Sequence, residues 1–92
     1  MKAKLCSAKL QGADATEANV SQVDATGADF EGATLKQANM KGAVLRQAKL
    51  ARVVATGADM SRADASGANF EGATLTHATL AGATLILSLI HI

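Results

Sequence analysis

Apolar residues mark every fifth position of this chain. Stepping by five from Leu5 gives Leu10, Ala15, Val20, Ala25, Phe30, Leu35 and so on to Ile90, and all eighteen centres are apolar. The residue two before each centre is Ala in fifteen of the eighteen cases, with Val23, Val53 and Ser88 as the exceptions. All five Asp and all three Asn fall one residue before a centre, and all eight Gly fall two after one. A helix cannot use this pattern, because a step of five advances about 140° around the axis and spreads the centres over every face. A plain strand cannot either, since an odd period carries the apolar set to the opposite face at each repeat. A short extended piece followed by a bend satisfies it. The Ala and the centre, two apart, point the same way, and the three-residue remainder turns a corner. Glycine two after the centre suits a corner at positive φ. Asp or Asn before the centre is placed to bond the amides of the bend.

The recurring Ala-(Asp/Asn)-(Leu/Phe/Met)-x-Gly, written here as ADFEG, ANMKG and ANFEG, resembles the pentapeptide-repeat family over residues 3 to about 86. The resemblance implies an all-β fold: a right-handed quadrilateral β-helix with four pentapeptides to a coil, about four and a half coils here, and the centre and the small residue before it inside. The centres support four sides. In steps of twenty, one column reads Leu5, Ala25, Leu45, Ala65, Leu85 and the opposite one Ala15, Leu35, Ala55, Leu75, so each complete coil sets a Leu against an Ala across its interior. Close packing requires such compensation. The other two columns hold Leu10, Phe30, Leu50, Phe70, Ile90 and Val20, Met40, Met60, Leu80. The six letters FEGATL therefore occur twice, at 30–35 and 70–75, because the packing pattern repeats every two coils. The expected core is Leu10, Phe30, Leu35, Met40, Leu45, Leu50, Met60, Phe70, Leu75 and Leu80.

Composition narrows the class further. Hydrophobic residues make up 49% of the chain, but much of that is alanine, with two Phe and no Trp or Tyr. A compact globule of 92 residues would lack the large side chains that fill a core. The formal net charge is +1, and the sign balance holds face by face. Lys4 and Arg46 face Asp24 and Asp64; Lys9, Lys49 and Arg52 face Asp29, Glu31 and Glu71; Lys36 faces Asp14 and Glu17; Lys41 and Arg62 face Asp59. No face exceeds one unit. Some members of the resembled family mimic double-stranded DNA and bind topoisomerases, which requires dense negative charge along the rod. A nucleic-acid binder needs the opposite stripe. Neither is present in the sequence.

No residue is assigned a catalytic, cofactor-binding or metal-binding role. Cys6 is a single outward thiol with no His or acid cluster around it, and His77 and His91 stand fourteen residues apart without further ligands. Asp29 and Glu31 read as part of a solvated, salt-bridged face rather than as an acid–base pair. Val44 and Val54 occupy outward positions otherwise held by polar residues. They are the candidate contact patch, read as lying on adjacent faces of the third coil.

The pattern fails at Leu87, where Leu87, Leu89 and Ile92 take outward positions and Ser88 takes the place of the inward Ala. The chain is thus divided into a repeat domain, 1–86, and an irregular apolar tail, 87–92. The tail is read as sequence foreign to the gene, a sequencing-adapter remnant translated in frame. The competing reading is a natural cap through which the C-terminal end self-associates, as such ends do in some members of the resembled family. No signal peptide is legible, and the final apolar run is too short to span a bilayer. The expectation is a cytoplasmic, non-catalytic structural or protein-interaction module. It would take a protein partner, no cofactor, no nucleic acid and no membrane, with a topoisomerase-binding DNA mimic as the alternative.

Overall fold

A computed structural model describes residues 3–85 of the chain. Parallel bridges join Lys4 to Asp24, Asp24 to Val44, Val44 to Asp64 and Asp64 to Thr84, and three more ladders start from Lys9, Asp14 and Asn19. Every bridge joins residues twenty apart. Four pentapeptides therefore close one coil, and the molecule is a four-sided solenoid whose ladders run along its sides.

The backbone of each pentapeptide is satisfied in the same way. The unit around Phe30 is representative. Phe30 N–H donates to the Lys49 carbonyl in the next coil at 2.7 Å, and Gly32 N–H to the Ala51 carbonyl at 3.0 Å. Asp29 N–H reaches back to the Ala8 carbonyl of the previous coil at 2.9 Å. The corner closes on itself through Ala33 N–H and the Phe30 carbonyl at 2.8 Å. Val23 and Val53, which replace Ala after the corner, have the longest such closures, 3.3 and 3.2 Å. Their extra methyl groups take up room inside the coil that alanine leaves free.

The corners turn through positive φ, as the glycine spacing predicts, but glycine supplies only half of them. Among the described residues eight Gly and eight others, including Gln37, Gln47, Arg52 and Arg62, share φ values between 55° and 72°. Left-handed backbone costs an L-residue roughly 1–2 kcal/mol, and these positions bear it because the ladders on both sides fix the turn. The non-glycine corners account for four of the glycines, Gly57, Gly67, Gly72 and Gly82, whereas a Cβ on Gly12 or Gly32 would meet nothing within 4 Å. A Cβ built on Gly57 would meet Gln37 Cγ at 3.2 Å, and one on Gly72 would meet Arg52 Cγ at 3.2 Å. In both cases the side chain of one corner lies over the glycine of the next coil.

Inside, the centres stack in the columns read from the sequence. Phe30, Leu35, Met40, Leu45, Leu50, Met60 and Phe70 are at most 5% exposed, and the alanines between them are at most 1% exposed. No buried polar or charged residue interrupts this core among the described residues. Leu10, Leu75 and Leu80 also point inward and pack against it, but they are half-buried, because each belongs to a coil covered on one side only by described residues. The tail at 87–92, with Ile86, lies outside the described residues, and so does His91.

Candidate interaction surface

Everything chemical points outward. The outward positions are the bridge residue before each centre and the two corner residues after it. The bridge residues are organised by one recurring device. Asp14 Oδ1 accepts from Thr16 N–H at 3.1 Å and from Thr16 Oγ1 at 2.7 Å. Asn19 holds Ser21 in the same way at 3.1 and 2.7 Å, and Asp24–Thr26, Asp59–Ser61 and Asp64–Ser66 repeat it. Asp29, Asn39 and Asn69 take only the backbone amide, of Glu31, Lys41 and Glu71 at 3.0, 3.1 and 2.9 Å. Each hook fixes the entry to a corner and gives a donor of the bend a partner. The sequence reading found the amide partner and missed the hydroxyl. The spacing Asp/Asn-x-Ser/Thr, five times in the chain, carries that signal.

The hooks set the electrostatics of the carboxylates. The carboxyls of Asp14, Asp24, Asp59 and Asp64 are all held below the ordinary aspartate value, first by the hydroxyl of the residue two further on and then by its backbone N–H. Lys36, Lys4, Lys41 and Arg46 respectively act in the same direction. Among the described residues two ion pairs cross between coils: Arg46 Nη1 meets Asp64 Oδ2 at 3.2 Å, and Arg52 meets Glu31. Arg52 overhangs a shallow notch lined by Glu31, Ala51, Asn69, Glu71 and Gly72. The notch exists because Ala51 stands between Glu31 and Glu71 in a corner column otherwise made of long side chains.

Val44 and Val54 do not form a patch. Val44 sits in the ladder between Asp24 and Asp64, whereas Val54 sits in the ladder between Thr34 and Thr74, and the ladder of Asp29, Lys49 and Asn69 runs between them. Positions ten residues apart fall on opposite sides of a twenty-residue coil, so the reading of adjacent faces is wrong. Both valines are half-buried. Cys6 is a free, exposed thiol whose Sγ donates to the Asp24 carbonyl at 3.8 Å. His77 is exposed at a corner. Among the described residues no three His, Cys, Asp or Glu converge on a common point, and no helix is long and apolar enough to cross a membrane.

A four-sided coil of pentapeptides, with small and large apolar residues inside and hooked polar residues outside, defines a class of repeat protein by itself. Comparison with known sequences agrees: the family model for pentapeptide repeats matches residues 3–42, 28–64 and 56–88, in eight copies. The chain belongs to the pentapeptide-repeat family. No curated protein matches it. Among solved structures it is similar to HetL, a pentapeptide repeat protein involved in heterocyst differentiation regulation in Nostoc sp. strain PCC 7120, with 26% identity over 97% of this chain and 58% of that one at a TM-score of 0.52. A pentapeptide repeat protein from the thylakoid lumen of Arabidopsis thaliana is 22% identical, covering 87% of this chain and 59% of that one at a TM-score of 0.52. The plasmid-mediated fluoroquinolone resistance protein QnrB1 is 21% identical, covering 84% and 58%, at a TM-score of 0.52. The chain thus spans about six-tenths of the length of these structures.

Proposed function

We propose that these coils are a non-catalytic protein-interaction module, coiled in the right-handed sense of the family, whose rigid sides form the docking surface for a cytoplasmic protein partner. The observation that carries this reading is the division of labour between inside and outside. Inward positions are spent on close packing, and most outward Asp and Asn side chains are spent on holding corners. What varies freely is the pattern of charge and shape along the sides, and recognition uses such patterns. Pentapeptide repeat proteins are in general interaction or structural modules rather than enzymes, and the likeness to the solved structures supports the fold on which the reading rests.

The test is a binding titration against a partner captured from the source cell. Charge reversals on one side should abolish saturable binding while reversals on the opposite side leave it unchanged. Equal loss from every side, or from none, would overturn the reading. The DNA-mimic alternative draws on the fold shared with QnrB1, but Lys and Arg offset Asp and Glu along each side, and duplex mimicry demands about one negative charge per 1.7 Å. In a gyrase supercoiling assay the chain should have no effect at high concentration. Potent inhibition would reinstate the mimic.

A further inference from the structure

One side of the solenoid carries an order that balanced totals hide. It runs over residues 6–12 and repeats, coil by coil, at 26–32, 46–52 and 66–72, on the ladder of Lys9, Asp29, Lys49 and Asn69. Its first coil bears Lys9, its second Asp29 and Glu31, its third Arg46, Lys49 and Arg52, and its fourth Glu71. The sign alternates at every step. The side carrying Asn39 and Asp59 has no such order, because Lys36 and Lys41 share one coil and Asp59 and Arg62 share the next.

The molecule uses only part of this charge for itself. Arg46 pairs with Asp64 and Arg52 with Glu31, and the Asp29 carboxylate is held by Gln11 Nε2 at 2.8 Å and Glu31 N–H at 3.0 Å. Lys9, Lys49 and Glu71 make no ion pair among the described residues, and all three are exposed. The ladder and the corner turns keep them on a flat, rigid side.

Four stripes of alternating sign match themselves when their order is reversed. We propose that this side is a weak docking surface for a second copy of the chain, laid antiparallel about a two-fold axis that crosses the side between its second and third coils. In that arrangement the first coil faces the fourth and the second faces the third, so a positive stripe meets a negative one at every level. Lys49 then lies opposite Asp29 of the second copy, and Arg52 opposite its Gly32, next to its Glu31. A parallel arrangement would set like against like, so charge selects the antiparallel one, and a two-fold contact needs this self-complementarity. The inference rests on the interaction-module reading and names its partner. The strip is small and solvated, so the association belongs to the weak, salt-sensitive class.

Sedimentation velocity of the full chain at low salt and rising concentration tests it. The wild-type chain should move from monomer to dimer, and about 0.5 M salt should return it to monomer. Lys49→Asp and Asp29→Lys should each weaken self-association about tenfold or more, because each sets like charges face to face twice. An equimolar mixture of the two variants should associate again, because both contacts are then between opposite charges. Circular dichroism melts of each variant confirm that the coils are intact. A wild-type chain that stays monomeric, a dimer that ignores both salt and Lys49→Asp, or a mixture that fails to associate although both variants are folded would overturn the proposal. A monomeric wild-type chain that still binds its protein partner through one side would leave the interaction-module reading standing and remove only the second copy.

Discussion

At residues 30–35 the letters FEGATL place Leu35 between Ala15 in the coil before and Ala55 in the coil after, and Leu35 is 2% exposed. At 70–75 the same letters place Leu75 on Ala55 with no described residue on its other side, and Leu75 is half-buried. Their surroundings differ on the outside too. Gly32 follows Gly12 in its corner column, and a Cβ there would meet nothing within 4 Å; at Gly72 it would meet Arg52 Cγ at 3.2 Å. Glu31 is paired with Arg52, whereas the Glu71 carboxylate has no ion pair among the described residues. Identical local sequence therefore fixes identical backbone, but burial, crowding and pairing come from residues twenty positions away.

The largest way to break this comparison is a charge inside. Leu35→Lys should unfold the chain, because an amine with no partner in a dry, close-packed interior costs several kcal/mol. Leu75→Lys should leave a folded protein with a lowered melting temperature, since its long stem can carry the amine to water. Circular dichroism melts of both variants decide it, and equal outcomes would mean that stacking does not govern burial. Truncation grades the same effect. Leu35→Ala should cost about 2–5 kcal/mol in denaturant unfolding and Leu75→Ala about half as much. Overfilling sharpens it: Ala55→Leu, crowding the column between both leucines, should cost about 1–3 kcal/mol, and adding Leu45→Ala across the same coil should recover part of that.

Corner substitutions give a smaller contrast. Gly32→Ala and Gly72→Ala both place a Cβ at positive φ, for about 1 kcal/mol each. Gly72→Ala should cost more by a few tenths, because Arg52 must also give way. Acid should act through the hooks. A carboxyl held low when folded contributes stability above its ordinary unfolded value, 3.8 for Asp59, and loses it as pH falls through the folded value. The chain should thus weaken below about pH 4, and Asp59→Asn should reduce that loss while keeping the hook, as Asn19 and Asn39 do in the same column. The smallest difference is between the glutamates. Glu31→Gln should cost at most about 1 kcal/mol at low salt and nothing at high salt, while Glu71→Gln should be silent in the monomer.

Most of the architecture was legible because a five-residue period repeated without interruption leaves little freedom. The inward alanines and the positive-φ corners follow from it; the twenty-residue coil is what the family resemblance implies, and the alternation of Leu and Ala across the interior supports it. What escaped depended on neighbours a coil away. Gln37, Gln47 and Arg52 sit in left-handed corners that composition alone would assign to glycine. Their positions make sense only once each is seen to lie over the glycine of the next coil. Leu10, Leu75 and Leu80 satisfy the pattern as well as Leu50 does, yet periodicity says nothing about which coils are covered. Val44 and Val54 were paired by their shared coil rather than by side. The striped side is hidden when its charges are only summed, because Lys9, Lys49 and Arg52 cancel Asp29, Glu31 and Glu71.

The twenty-residue step also governs how such a chain can change in length. Five residues inserted anywhere keep every inward and outward assignment, every corner and every hook, so the local pattern registers no error. Yet each residue beyond the insertion is turned by one side, so that an insertion between Leu35 and Leu50 stacks Leu35 on Leu50 instead of Ala55, and the stripes on one part of the rod face a quarter-turn from those on the other. Growth by whole coils preserves the surface; growth by single repeats re-aims it.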